Sequence, residues 1–229
     1  MSIEANLQRV RSELADACAR SGRSPDAVRL MAVSKMHPVE FIEEAYAAGQ
    51  RLFGENRVQE VATKAGVLAR LDGLEMHLIG PLQNNKTAKA AELFQAIDTL
   101  DSAKTAARLQ SAFEGTSRVL PVLVEVKLSH EESKHGLAPE DLGTFLEALA
   151  GLPNLRAMGL MTVPPAGDDA EQARPYFRRL RELRDEHAAR YPSLTELSMG
   201  MSGDFSVAIE EGSTTIRVGT AIFGHRESA

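Results

Sequence analysis

Short, almost wholly apolar runs alternate along the chain with longer segments whose apolar positions recur every three or four residues. The short runs are typical of strands buried on both faces, and the longer segments are typical of amphipathic helices. We predict strands at residues 28–34, 51–54, 76–79, 96–99, 119–126, 155–161, 195–198 and 214–218. We predict helices at residues 39–48, 57–71, 86–94, 103–113, 139–150, 171–190 and 205–210, and a short one around Ala221.

A further helix precedes the first strand, with one apolar stripe at Ile3, Leu7, Val10, Leu14 and Ala17. Eight strands alternating with helices is the arrangement of a single (β/α)8 TIM barrel. A doubly wound open sheet is the alternative, but no glycine-rich dinucleotide-binding turn follows the first strand. We therefore expect one domain over residues 1–229, with an extra N-terminal helix at 1–22 and a barrel at 28–224.

Composition narrows the classes of function. The 229 residues are 43% hydrophobic and 25% charged, as in an ordinary soluble globular protein. A net charge of −6 without a long basic run argues against a nucleic-acid partner. The single cysteine, Cys18, permits no intrachain disulfide. The chain has no apolar stretch of membrane-spanning length, no signal-peptide core and no metal-ligand spacing, so we expect a cytoplasmic protein without a metal.

Polar residues follow nearly every predicted strand. Lys35 follows the first strand and Asn56 the second, while His77 and Arg217 lie within the third and eighth. Because the carboxyl ends of barrel strands meet at one mouth, we expect these residues to form one site. Taken on its own, a lysine in such a position is usually an ordinary surface lysine in a strand-to-helix loop, so the rest of the chain has to support a role for Lys35.

The segments LSMGMSGD and IRVGTAIFG place small residues just before the last two helices. Helix N-termini reached by small residues bind anions, and barrels often hold phosphate after strands seven and eight. We therefore predict a ligand that carries a phosphate group. A lysine beside such a site is either an electrostatic clamp or a Schiff-base former, which indicates a phosphosugar aldolase or a pyridoxal phosphate protein.

The motifs AVSK, FGENRVQE, HLIGPLQNNK, GLMTVPP and LSMGMSGD with IRVGTAIFG occur here in order. In this combination the chain resembles the YggS/PROSC family of pyridoxal phosphate homeostasis proteins. The resemblance implies a barrel like the N-terminal domain of alanine racemase, with pyridoxal 5'-phosphate as a Schiff base on Lys35. It places Asn56 beside the cofactor ring and Arg217 at the pyridine nitrogen. It places the phosphate against Ser198, Met199, Gly200, Ser202, Gly219 and Thr220.

Several roles stay open. His77 either points into the barrel under the ring or is a core histidine, and we include it in the cofactor-binding set. Arg217 has the alternative of an ion pair with Glu210 or Glu211. Lys134, in the long loop at residues 129–138, is a second cofactor contact, a transfer group or a solvated lysine.

The resemblance implies a protein of vitamin B6 homeostasis that delivers the cofactor through transient contact with pyridoxal phosphate-dependent apoenzymes. An arginine holds the pyridine nitrogen unprotonated, which leaves a weak electron sink. The three tyrosines, Tyr46, Tyr176 and Tyr191, lie in or next to outer helices, so none is an obvious second base. We expect a monomer without strong catalytic turnover. The alternatives are a pyridoxal phosphate-dependent amino-acid racemase and a phosphosugar aldolase-type barrel.

Overall fold

Eight parallel strands form a closed barrel in a computed structural model, which describes residues 2–129, 131, 135–165 and 167–224. Each strand pairs with its sequence neighbours, and β8 returns to pair with β1. The strands are β1 Arg29–Val33, β2 Leu52–Glu55, β3 Glu75–Leu78, β4 Ala96–Leu100, β5 Leu120–Glu125, β6 Leu155–Met161, β7 Glu196–Ser198 and β8 Thr215–Val218. The predicted TIM barrel is therefore confirmed, and the open sheet is wrong.

Helices alternate with the strands around the outside of the barrel. They are α1 Ile3–Arg20, α2 Val39–Ala47, α3 Val58–Leu68, α4 Thr87–Leu93, α5 Ala103–Ala112, α6 Leu142–Ala150, α7 Arg174–Ala188, α8 Phe205–Glu210 and α9 Thr220–Phe223. Short 3-10 turns, Pro139–Asp141 and Ala170–Ala173, occupy the first residues of two predicted helices. Proline at the start of the first turn and the Asp169 side chain before the second fix these tighter entries.

The extra helix α1 forms part of the outer layer. Its apolar stripe is buried in the main core cluster, which fills the space between the strands and the helices. Asn6 donates through its side-chain amide to the carbonyl of Ile222 over 2.8 Å, and the Ile3 N–H donates to a Glu44 carboxylate oxygen over 3.0 Å. The helix thus ties together α2 and α9, the helices that follow β1 and β8.

The loops that follow the strands gather at the carboxyl end of the barrel, where the predicted site lies. Two segments of this end are incompletely described, because Lys134 with part of the loop at residues 129–138, and residue 166 in the loop after β6, lie outside the described residues. In the part of the chain that is described, no helix has the length and apolar character needed to span a membrane. No group of three or more His, Cys, Asp or Glu side chains within the same residues is arranged to hold a metal ion.

Candidate functional site

The turn that carries Lys35 leaves the carboxyl end of β1. Ser34 is fully buried, and its hydroxyl donates to the Glu55 carboxylate over 2.9 Å. Lys35 itself is half-buried. Met36 has a φ of 63°, the left-handed region that a residue with a side chain rarely adopts. The lysine thus lies between a buried anchor and a strained residue.

The loop between β8 and α9 lies directly beside this turn. A Cβ atom added to Gly219 would lie 3.3 Å from the carbonyl oxygen of Val33, two residues before Lys35. Beyond the loop, the Phe223 ring packs on the His37 ring with centroids 5.2 Å apart. Thr220, the first residue of α9, is exposed. The structure therefore places the loop that carries Gly219 and Thr220 beside the end of β1, just before Lys35.

Asn56 follows β2 on the other side of β1. Gly80, after β3, lies so close that an added Cβ would stand 2.4 Å from the Asn56 carbonyl oxygen. The Thr99 hydroxyl donates to the Gly80 carbonyl over 2.8 Å and fixes this contact from β4. The absence of a side chain at residue 80 is what permits Asn56 to occupy its position next to the β1 turn.

Arg217 is buried inside the barrel, with 4% of its surface exposed. Its guanidinium donates to the Ser198 hydroxyl and to the Thr162 carbonyl, each over 2.9 Å. Burial lowers the pKa of Arg217, and the opposing charges of Asp98, Glu125 and Asp204 counter part of that effect.

The alternative ion pair of Arg217 with Glu210 or Glu211 is wrong. Both carboxylates face Arg174 instead, over 2.7 and 3.1 Å. Glu211 also pairs with Arg178 and Arg181 on α7. These ion pairs connect the outer helices α7 and α8, whereas Arg217 is buried inside the barrel.

The loop between β7 and α8 contains several of the residues that we predict to contact phosphate. Gly200 has a φ of 95° and lies against α8, where an added Cβ would stand 2.6 Å from the Ala208 Cβ. Asp204 accepts a hydrogen bond from the Met201 N–H over 2.6 Å, which closes the loop. Ser202 is exposed at its tip.

Two members of the predicted phosphate set are engaged elsewhere. The Met199 side chain is fully buried, and its N–H donates to the Thr215 carbonyl over 3.1 Å. The Ser198 hydroxyl accepts the bond from Arg217. We therefore assign Met199 to the core and Ser198 to the support of Arg217.

His77 does not join the residues of the mouth. It lines a cavity of about 320 Å³ whose walls include Arg29, Glu75 and Glu196, at the amino-terminal starts of their strands. Its Nδ1 lies 3.0 Å from the Asp98 carboxylate and its Nε2 lies 3.8 Å from Glu75. The histidine points into the barrel but at the opposite end from Lys35, so we leave it out of the cofactor-binding set.

The surroundings of His77 set its charge. Burial alone lowers its pKa, but the Asp98 and Glu75 carboxylates outweigh that effect and raise the pKa to about 9. His77 is therefore protonated at neutral pH, held between two acids.

One buried acid at the mouth was not among the predicted site residues. Glu125 ends β5 and is 9% exposed. Burial and the neighbouring Asp101 raise its pKa to about 7, although Arg217 acts in the opposite direction. A carboxylate inside an otherwise apolar strand is the sequence signal that could have identified it.

The mouth thus combines a half-buried lysine, small-residue loops and a buried arginine that can only donate hydrogen bonds. The barrel and this mouth define a domain of the alanine racemase N-terminal class. The protein-family model described as "Alanine racemase, N-terminal domain" matches residues 3–227 of the chain. The chain belongs to the family of pyridoxal phosphate homeostasis proteins. A protein of that name from Vibrio cholerae is 44% identical over 229 residues, which cover 99% of this chain and 97% of the relative. One from Aquifex aeolicus is 45% identical over 222 residues, which cover 96% and 97%.

Solved structures agree with this assignment. PipY of Synechococcus elongatus, in a structure with pyridoxal phosphate bound, is 41% identical, with a TM-score of 0.86 and coverage of 97% of this chain and 100% of that one. An alanine racemase from Clostridium difficile, at 16% identity, has a TM-score of 0.71 over 99% of this chain and 57% of its own. That second likeness shows the shared barrel fold.

Proposed function

We propose that this protein binds pyridoxal 5'-phosphate as a Schiff base on Lys35 and serves intracellular vitamin B6 homeostasis by delivering the cofactor. The observation that carries the proposal is the close approach of Gly219, in the β8–α9 loop, to the carbonyl oxygen of Val33, two residues before Lys35. The names of the relatives and the ligand of the PipY structure support it.

The residues of the mouth fit the ligand. Gly200, Ser202, Gly219 and Thr220 offer small side chains, hydroxyls and helix-start N–H groups of the kind that bind phosphate. Asn56 stands beside the lysine for a contact with the ring. Arg217 uses two of its five N–H donors for Ser198 and Thr162, and a further donor is suited to a ring nitrogen without a proton.

The lysine supplies the covalent link. Its neutral amine would condense with the aldehyde of the ligand, forming a C=N bond and releasing one water, and hydrolysis would reverse the bond. A link that reverses with water alone suits a protein that gives the ligand away. The cofactor's own chemistry, electron withdrawal toward the ring, is weak beside an arginine because the ring nitrogen stays unprotonated.

The alternative of a racemase is less well supported. Racemisation needs a proton acceptor and a proton donor on opposite faces of the substrate carbon. The Tyr46 hydroxyl donates a hydrogen bond to the Asp72 carbonyl on the outside of the barrel. Tyr191 follows α7, and its ring lies near the His187 ring. Glu125, at the mouth, has its pKa raised to about 7, and it does not make a pair of bases by itself.

Transfer and turnover are tested in the same experiment. In one assay, the protein loaded with pyridoxal phosphate is mixed with a pyridoxal phosphate-dependent apoenzyme. In a parallel assay, the loaded protein alone is given a panel of L- and D-amino acids, and their turnover is measured. We expect recovery of apoenzyme activity in the presence of a trap for free cofactor, and negligible racemisation. Substantial turnover of any amino acid would favour the racemase instead. The cytoplasmic location and the monomeric state remain predictions.

A further inference from the structure

The two residues that flank Lys35 are both held by acids from β2 and α3. The Ser34 hydroxyl donates to Glu55 Oε1 over 2.9 Å, and the Lys64 ammonium donates to the same oxygen over 2.8 Å. On the other side, the Met36 N–H donates to Glu60 Oε2 over 3.0 Å. Because the two contacts lie on either side of the lysine, they fix the backbone from which its side chain projects.

Met36 has a conformation that needs such a contact. Its φ of 63° costs a non-glycine residue on the order of 1 kcal/mol. The Met36 side chain is 57% exposed, so side-chain packing does little to offset that cost. The bond from its N–H to a carboxylate is charge-assisted and stronger than a neutral one. The Glu60 carboxylate therefore helps to hold the turn in its strained form.

Helix α3 organises this arrangement. Glu60 and Lys64 are four residues apart and lie on the same face of the helix. Lys64 is 12% exposed and Glu55 is fully buried, so this ion pair fixes α3 against β2. Glu60, with 22% of its side chain exposed, also lies 3.8 Å from Arg57 in a partly solvated pair. Lys64 thus anchors α3 to β2, and Glu60, one turn earlier on the same face of the helix, contacts the turn that carries Lys35.

We propose that Glu60 is a positioning residue for Lys35, holding the Met36 N–H so that the lysine amine is presented to the mouth. Glu60 acts through the backbone and has no contact with the ligand in this role. The inference rests on the proposed function, because it assigns a task within the same site.

The test compares Glu60→Gln with Glu92→Gln. Glu92 is the matched control, since it also forms a pair with a basic residue three positions away, Lys89, but on α4. The dissociation constant of pyridoxal phosphate is measured by absorbance titration of the purified full-length protein. Glutamine keeps an acceptor oxygen for the Met36 N–H but not the charge, so we expect Glu60→Gln to bind about fivefold more weakly, the scale of losing the charge assistance of one hydrogen bond. Glu92→Gln should stay within about twofold of wild type.

A second ligand separates positioning of the lysine from general support of the mouth. Pyridoxine 5'-phosphate carries an alcohol in place of the aldehyde and forms no covalent bond with an amine. Glu60→Gln should leave the affinity for this analogue within about twofold of wild type, because only the link to Lys35 depends on the turn. An equal loss for both ligands would overturn the inference, as would wild-type affinity of Glu60→Gln for pyridoxal phosphate. If the wild-type protein takes up no pyridoxal phosphate at all, it is the proposed function that fails.

Met36 gives an independent readout of the same turn. Glycine adopts a positive φ without penalty, so Met36→Gly should keep the affinity for pyridoxal phosphate within about twofold of wild type. Valine is branched at Cβ and resists the left-handed region, so Met36→Val should bind at least about fivefold more weakly. Wild-type binding by Met36→Val would show that the strained turn is unimportant and would overturn the inference.

Discussion

The guanidinium of Arg217 donates a hydrogen bond to the Ser198 hydroxyl over 2.9 Å, inside the barrel and across the β7–β8 boundary. A second bond, to the Thr162 carbonyl at the end of β6, also measures 2.9 Å. One side chain thus joins the ends of three strands at the mouth. Its charge is surrounded by Asp98, Glu125 and Asp204, the acids that compensate its burial.

Removal of this side chain should destabilise the protein. Arg217→Met eliminates two buried hydrogen bonds and leaves neighbouring acids without their compensating charge, so we expect a loss of about 2–4 kcal/mol in the free energy of unfolding. Urea titration followed by circular dichroism measures this loss. Arg179→Met is the control, because Arg179 forms only exposed pairs on α7 and should cost less than about 1 kcal/mol. Equal, small losses in both variants would contradict the structural role of Arg217.

His77 should make the protein less stable in alkali. Its pKa rises from 6.5 in the unfolded chain to about 9 in the fold, so the folded state binds the proton more tightly. The resulting stabilisation is complete below the unfolded pKa and is lost as the pH rises through about 9. We expect the free energy of unfolding to fall by roughly 1–3 kcal/mol between about pH 7 and pH 9.

The measurement for His77 is a series of urea titrations across this pH range, on wild type and on His77→Gln. The variant should show a flatter profile above about pH 7, because its amide does not titrate. A wild-type slope that survives in His77→Gln would assign the effect to another group.

Glu125 should make the protein less stable at neutral pH than at acidic pH. Its folded pKa of about 7 exceeds the value of 4.5 that it has when exposed, so wild-type stability falls as the pH rises between those two values and stays at the reduced level at higher pH. Glu125→Gln removes the titration. We expect the variant to be more stable than wild type by roughly 1–3 kcal/mol at about pH 8, and close to wild type at about pH 5. Thermal unfolding at both pH values measures the difference, and a pH-independent difference would refute the assignment.

Gly80 should tolerate no side chain. In Gly80→Ala the added methyl group would overlap the Asn56 carbonyl oxygen, which lies 2.4 Å from the added carbon, so the backbone has to move. We expect a loss of about 2 kcal/mol or more in stability, together with weaker binding of pyridoxal phosphate. Gly66→Ala is the control, since Gly66 lies within α3 and an added Cβ meets nothing within 4 Å. That variant should be as stable as wild type or more stable by about 1 kcal/mol. Similar behaviour of the two variants would contradict the close contact.

The barrel could be predicted because its strands are continuous apolar runs that differ from the amphipathic helices around them. The predicted strand at residues 155–161 coincides with β6, and the predicted helix at residues 205–210 coincides with α8. The helix predicted at residues 171–190 was less accurate, because its first residues form a tight 3-10 turn and α7 begins at Arg174. Periodicity does not distinguish a 3-10 entry of a few residues from the first turn of an α-helix.

The candidate site was predictable only in part. That Lys35, Asn56 and Thr220 converge follows from topology, since strand ends meet at the mouth of any barrel. The position of His77 does not follow, because the sequence does not show which end of the barrel interior its side chain reaches. In the structure it lines a cavity with Arg29, Glu75 and Glu196, the first residues of their strands. Glu60 was part of a motif, but its contact with the Met36 N–H depends on the tertiary packing of α3.

The most direct test of the central claim is reduction of the ligand-loaded protein with borohydride, followed by mass analysis of its peptides. The account predicts visible absorbance that disappears on reduction, and a pyridoxyl phosphate adduct on the peptide that contains Lys35. Lys35→Ala should carry no adduct at that peptide. A protein that remains colourless with added pyridoxal phosphate, or that is modified only at other lysines, would contradict the assignment of Lys35.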